Sequence, residues 1–247
     1  MSFLQPIPFR DILARWNKQS AIPLNIQEID DVIGGLLPCY IHNIIGYSGV
    51  GKTWFCIRAI DSLFKGKSDA KILFSDFCGN LRISNLRKLF PNPSLLQQVI
   101  IIQPTNLFEQ IVFFRKLLEN SRCPYDLIIL DSLFGSPLHA LQYFYKNARP
   151  WEKRIFFHLH DLSQLAMKNN IPILMTNHLI YPGENFNPFS SLNQHGGYLV
   201  EQFAPIEILI RKIDQTHCLE LRIFQEIAVY SNFVLIPHKF NKNRSKY

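Results

Sequence analysis

The sequence predicts an α/β protein: a mostly parallel central sheet with helices on both faces and an antiparallel extension at its C-terminal end. Three observations predict it. Between residues 40 and 177, short apolar runs alternate with helix-periodic segments. Strands apolar on both faces need helices on both sides. A glycine-rich loop joins the first of these runs to the first helical pattern. Beyond residue 205 the helices stop, and three strand-like runs follow one another.

The elements follow in order. Residues 1–22 are a short lead, in which Phe9, Ile12, Leu13 and Trp16 suit one amphipathic helix. Strands are expected at 40–45, 72–77, 99–103, 127–131 and 171–177, where β-type apolar runs are bounded by polar residues. Helical patterns fill 53–64, 81–90, 108–118 and 151–168. The last strands, 206–213, 218–224 and 233–240, are separated by the turn-like stretches 214–216 and 230–232. Two irregular segments, 134–150 and 180–197, follow the C-terminal ends of central strands. Ligands of open α/β sheets bind at those ends. Residues 23–240 thus read as one core, and 241–247 as a basic tail.

Composition narrows the classes. The 247 residues are 47% apolar and 18% charged, enough for a sizeable core and unlike a disordered chain. Lys and Arg number 26 against 19 Asp and Glu, so the net charge of +7 permits an anionic partner without resembling a histone-like coat. No basic start followed by an apolar run and a cleavage site opens the chain, and no apolar span of membrane length occurs. The five cysteines (Cys39, Cys56, Cys78, Cys123 and Cys218) are odd in number and scattered, which argues for a reducing compartment.

The segment Gly46-Tyr47-Ser48-Gly49-Val50-Gly51-Lys52-Thr53 fits G-x-x-x-x-G-K-[ST] in full, between a strand and a helix pattern. Its glycines let backbone N–H groups turn toward phosphates, and the following helix adds its positive dipole end. Lys52 is expected to reach the β- and γ-phosphates of ATP, and the Thr53 hydroxyl to ligate Mg²⁺. The run 126–131 ends in Asp131, which emerges at the sheet edge and can hold the same Mg²⁺. No G-x-S-x-G elbow supports a hydrolase. His158 and His160, with Asp161, suggest a metal site, but a spacing of two on a helix sets the two imidazoles about 200° apart.

Together with the phosphate loop, two further stretches resemble the RecA-like recombinases of archaea and eukaryotes. They are Leu24-Asn25-Ile26-Gln27-Glu28-Ile29-Asp30-Asp31-Val32-Ile33-Gly34-Gly35 and Thr176-Asn177-His178. The resemblance spans about residues 22–240 and is strongest to the eukaryotic recombinase paralogues, in particular the D-type paralogue and its small fungal counterparts. It implies a RecA-like P-loop ATPase core. It also implies a nuclear protein that joins other recombinase paralogues in a hetero-oligomer and assists the main recombinase in homologous recombination and DNA repair.

Departures from the family pattern shape the expectation. Active recombinases carry a water-polarising Glu after the second strand; the matching stretch here is Asp76-Phe77-Cys78-Gly79-Asn80-Leu81-Arg82, with Cys78 in its place. A mostly neutral thiol is a poor base, so weak or absent ATP hydrolysis is expected. A buried small residue leads to the same expectation. By resemblance, His178 stands where the family couples the γ-phosphate to its DNA loops; a hydrogen-bonded histidine at a strand end is the simpler alternative.

The first family DNA loop maps to 133–154, with Lys146, Arg149, Lys153 and Arg154 beside Tyr143, Phe144, Tyr145 and Trp151. These suit single-stranded DNA by charge and stacking, and equally a solvated helix start whose aromatics pack elsewhere. The second maps to 179–197 and holds no Lys or Arg, so it gains nothing from counterion release. The recombinase N-terminal helical domain is not expected. Phe9 is followed by Arg10, Asp11 and Ile12, which does not reproduce the family's Phe-x-x-Ala hook. Three functional expectations follow: an ATP-binding paralogue subunit, an autonomous DNA-stimulated ATPase of the archaeal recombinase-like or KaiC-like type, and a degenerate P-loop scaffold that needs no nucleotide, which intact Lys52, Thr53 and Asp131 argue against.

Overall fold

The computed structural model describes residues 21–90, 92–135, 148–179, 194–213, 216–223 and 230–237. The predicted lead helix within 1–20, Lys146, the basic tail and most of both irregular segments lie outside these residues.

Eight strands form one sheet in the order β3-β2-β4-β5-β1-β6-β7-β8. They are β1 (Ile41–Gly46), β2 (Ile72–Asp76), β3 (Val99–Ile102), β4 (Leu127–Asp131), β5 (Ile173–His178), β6 (Ile206–Ile213), β7 (Thr216–Ile223) and β8 (Tyr230–Pro237). The first six are mutually parallel where they pair, and β7 and β8 extend the sheet antiparallel. Seven helices are described: α1 (Gln27–Ile33), α2 (Lys52–Gly66), α3 (Ile83–Leu89), α4 (Pro93–Leu96), α5 (Leu107–Glu119), α6 (Ala148–Asn169) and α7 (Gly197–Phe203). The predicted mixed sheet and its helical cover are therefore observed.

Strand alternation sorts the core into two layers. Ile44, Ile72, Phe74, Ile129 and Leu174 face α1, α2 and α3. Ile41, Leu73, Ile128, Leu130, Ile173 and Met175 face α5, α6 and α7. Both faces of the central strands are buried, which is why their sequences are apolar runs rather than alternating patterns.

Local signals explain several boundaries. Asn106 caps α5 by accepting from Glu109 N–H at 3.0 Å, and the Glu109 carboxylate accepts in turn from Thr105 N–H at 2.8 Å. Asn92 caps α4, whose first position is Pro93. A partly buried ion pair, Arg115 to Asp161 at 2.6 Å, ties α5 to α6.

Four expectations need correction. The helix predicted from 151 starts at Ala148, so Arg149, Lys153 and Arg154 lie on α6 rather than in a loop. Pro150 did not mark the boundary because the first helical turn tolerates proline. The second irregular segment ends before 197, since Gly197 opens α7. The residues predicted as a turn at 230–232 belong to β8, and β7 starts at Thr216. Helices α1, α4 and α7 were not expected, because four to seven residues are too few to show a helical period. Among the described residues no helix is long and apolar enough to cross a membrane.

The segment before β1 is fastened to α2. Ile22 and Leu36 form a two-way antiparallel bridge. Arg58 donates to the Leu24 and Asn25 carbonyls, and Ser62 to the Pro23 carbonyl. Gly35 sits inside this bridge with φ +114°, and a Cβ there would lie 2.1 Å from the Ile22 carbonyl oxygen. Gly35→Ala is therefore expected to destabilise the protein by more than about 1 kcal/mol. Gly66→Ala, whose added methyl meets nothing, should be neutral or slightly stabilising in the same urea titration.

Among the described residues, His42 and His158 are the most deeply buried histidines. His42 Nε2 lies 2.9 Å from Leu37 N and 3.1 Å from Leu37 O. His158 packs against Phe114 and Gln110. Burial lowers their pKa values to about 4 and about 3. An unfolded histidine titrates near 6.5. Below that value the unfolded chain binds more protons, so stability falls as pH drops. The contribution is complete above about pH 6.5 and is lost toward pH 4, by about 1.4 kcal/mol per unit for each residue. Urea midpoints measured between about pH 7 and pH 5 should decline accordingly, and His158→Gln should flatten the decline.

Candidate functional site

Parallel pairing brings the C-terminal ends of β1, β4 and β5 together. Gly46 pairs with His178, and Asp76 of β2 with Asp131. The phosphate-loop residues leave β1 at Gly46 and enter α2 at Lys52. Gly49 and Gly51 have φ of +81° and +101° with open space at Cβ, so backbone conformation rather than crowding requires glycine there. Gly46 differs: a Cβ would lie 2.7 Å from both the Ile210 carbonyl oxygen and Val50 Cγ2. Ser48 and Gly49 are exposed, whereas Val50 is buried and anchors the loop.

Lys52 is buried, and its Nζ donates to the carbonyls of Gly46 at 2.8 Å and Tyr47 at 2.9 Å. His178 Nδ1 lies 3.3 Å away. Burial pulls the Lys52 pKa down to about 8, opposed by the Asp131 charge. Burial likewise lowers His178 to about 3, reinforced by Lys52 and His195. A neutral imidazole is the form that tolerates an ammonium at this distance.

The Thr53 hydroxyl donates to Asp131 Oδ2 at 2.6 Å, and Thr176 donates to Asp131 Oδ1 at 2.7 Å. Burial raises the Asp131 pKa, while these two hydrogen bonds lower it. The peptide bond after Asp131 is cis. A hydroxyl and a carboxylate beside a buried lysine form a hard oxygen donor set of the kind Mg²⁺ uses with phosphates. Asp76 is also buried and accepts from the Asn80 and Leu81 N–H groups and from Gln103, shaping the turn that carries Cys78. Cys78 is half-buried, and its pKa is pushed up to about 11, by burial first and then by Asp131 and Asp76.

On the opposite face lies a buried polar network. Gln194 accepts from Asn43 at 2.8 Å and Asn177 at 2.9 Å, and donates to Glu207 at 2.8 Å. Asn177 Oδ1 accepts the His178 N–H at 2.8 Å, and His195 N–H donates to the His178 carbonyl at 3.2 Å. The end of the second irregular segment is thus pinned to β1, β5 and β6. Sequence reasoning gave Asn43, Gln194 and Glu207 no role. Little in the sequence signals them, since β1 also carries His42 and β6 also carries Arg211 and Lys212.

The structure thus gathers 46–53, Asp131, His178 and Cys78 at one sheet edge. It leaves Arg149, Lys153 and Arg154 on α6, where Arg154 stacks over Trp151 at 4.9 Å from the ring centroid. His158 is buried while His160 is exposed beside Phe203, so the two do not converge.

The α/β fold, a mostly parallel sheet covered by helices on both faces, is one shared with a RecA-like recombinase. The solved structure titled "Crystal structure of the RadB recombinase" matches with a TM-score of 0.67, at 17% sequence identity, over 87% of this chain and 94% of that chain. No protein-family model matches the sequence, and no curated protein matches it by sequence.

A thiol held up near 11 is almost entirely protonated at neutral pH. Alkylation of Cys78 by iodoacetamide should therefore be slow at about pH 7.5 and accelerate roughly tenfold for each unit by which the pH is raised toward about 11. Peptide mass spectrometry resolves this residue from the other cysteines.

Proposed function

We propose that this protein binds ATP with Mg²⁺ at the 46–53 loop and hydrolyses it weakly or not at all. In this reading it serves as a subunit of a nuclear complex of recombinase paralogues that assists the main recombinase in homologous recombination and DNA repair. The observation that carries the reading is the Lys52, Thr53 and Asp131 constellation with Cys78 beside it. The fold shared with the RadB recombinase supports a role in recombination.

Lys52 would contact the β- and γ-phosphates, leaving the two carbonyls that now hold it. Thr53 and Asp131 would hold Mg²⁺, which neutralises phosphate charge when bound. A neutral thiol beside the lysine cannot take a proton from water as a carboxylate can. His178, in contact with Lys52 and tied through Asn177 to Gln194, suits a sensor of the γ-phosphate. Arg149, Lys153 and Arg154 offer phosphate contacts to single-stranded DNA. At the β3 edge, Ile100 and Ile101 are 45% and 37% exposed, an apolar border suited to a partner subunit.

Fluorescent-nucleotide titration should show Mg²⁺-dependent ATP binding, weakened roughly tenfold to hundredfold by Lys52→Ala. Turnover should stay far below the ~1–10³ s⁻¹ of ordinary enzymes and rise in Cys78→Glu. Rapid turnover stimulated by single-stranded DNA would favour the autonomous ATPase. Affinity purification that recovers no recombinase paralogue would refute the subunit role.

A further inference from the structure

β5 leaves the sheet through Thr176, Asn177 and His178. His178 meets Lys52, and Asn177 joins the network on the other face. Thr176 remains. Its side chain is fully buried. The hydroxyl donates to Asp131 Oδ1 at 2.7 Å, while Thr53 holds Oδ2 at 2.6 Å. The Thr176 carbonyl also accepts from Leu133 N–H at 3.0 Å, two residues beyond Asp131. One strand residue therefore grips both the carboxylate and the chain that follows it.

The two hydroxyls differ in what they do. Thr53 lies in the first turn of α2 and is itself the expected metal donor. Thr176 comes from the middle of the sheet, on a strand paired with neighbours on both sides. Two donors from different elements set the plane of the carboxylate as well as its position.

We propose that Thr176 is a positioning residue: its hydroxyl orients Asp131 so that Oδ2 faces Thr53 and the Mg²⁺ of bound Mg·ATP. The assignment rests on the nucleotide reading above. Mg²⁺ demands near-ideal octahedral geometry, so a carboxylate that acts on it, directly or through water, must be held at a set angle. Groups that orient a metal-binding side chain are typically worth tenfold to hundredfold in metal affinity.

The test titrates Mg²⁺ into the full chain with a fluorescent ATP analogue, and repeats the nucleotide titration in EDTA. Thr176→Val should require roughly tenfold more Mg²⁺ for half-maximal binding, with unchanged affinity in EDTA. Thr176→Ser should restore the wild-type value. In an Asp131→Asn background, Thr176→Val should add nothing, because its effect runs through that carboxylate. Circular dichroism checks the fold; if Thr176→Val does not fold, Thr176→Ala is read in the same titration. A wild-type Mg²⁺ dependence in the folded variant, an equal loss in EDTA, or a full effect without Asp131 overturns the assignment alone. Absence of nucleotide binding by the wild type overturns the nucleotide reading and this assignment with it.

Discussion

The register of β5 between β4 and β1 is the constraint on which the site depends. Leu130 pairs with Met175, and Gly46 with His178. This pairing sends Asp131, Thr176 and His178 to the face that carries α2, and Asn177 to the other. A slip of one residue would exchange the faces and separate the carboxylate from Thr53. The apolar residues beneath them make that slip expensive, because it would also turn two buried layers inside out. The geometry of the edge is thus held in place by Ile173, Leu174 and Met175, all fully buried beneath it.

The sheet consequently has two polar systems, one on each face of its C-terminal edge. One is charged and built from Lys52, Asp131 and Asp76. The other is an amide network of Asn43, Asn177 and Gln194 closing on Glu207. They meet at His178, whose ring contacts Lys52 and whose backbone N–H and carbonyl belong to the network. The network is directional, since each amide has a set of partners that differs from its neighbours', and it leaves the buried Asn43 Oδ1 without a hydrogen-bond partner. It locates the 194–197 turn far more sharply than apolar packing alone would.

Much of this was legible in the sequence. The phosphate loop announces itself because every position has a physical requirement: glycine for positive φ, lysine for charge, threonine for a hydroxyl. The central strands are legible because burial on both faces leaves apolar runs. Asp131 was found as the polar residue ending such a run. The boundary of α6 was misplaced because proline is ambiguous between a loop and a first helical turn. Thr176 was named within a triplet yet given no task, because a threonine in a β-run is the ordinary residue there. Its meaning lies in the carboxylate opposite, 45 positions away in the chain. The Asn43–Gln194 contact spans 151 positions, and no local pattern encodes a pairing of that separation.

The attachment of residues 22–36 to α2 has a mechanical consequence. Arg58 and Ser62 grip three successive carbonyls of the incoming chain, and both project from the helix whose first residue is Lys52. Tension applied ahead of Ile22 meets the bridge to Leu36 first and, beyond it, the contacts with that helix. Residues 22–25 are thus held on the face of the sheet that carries α2.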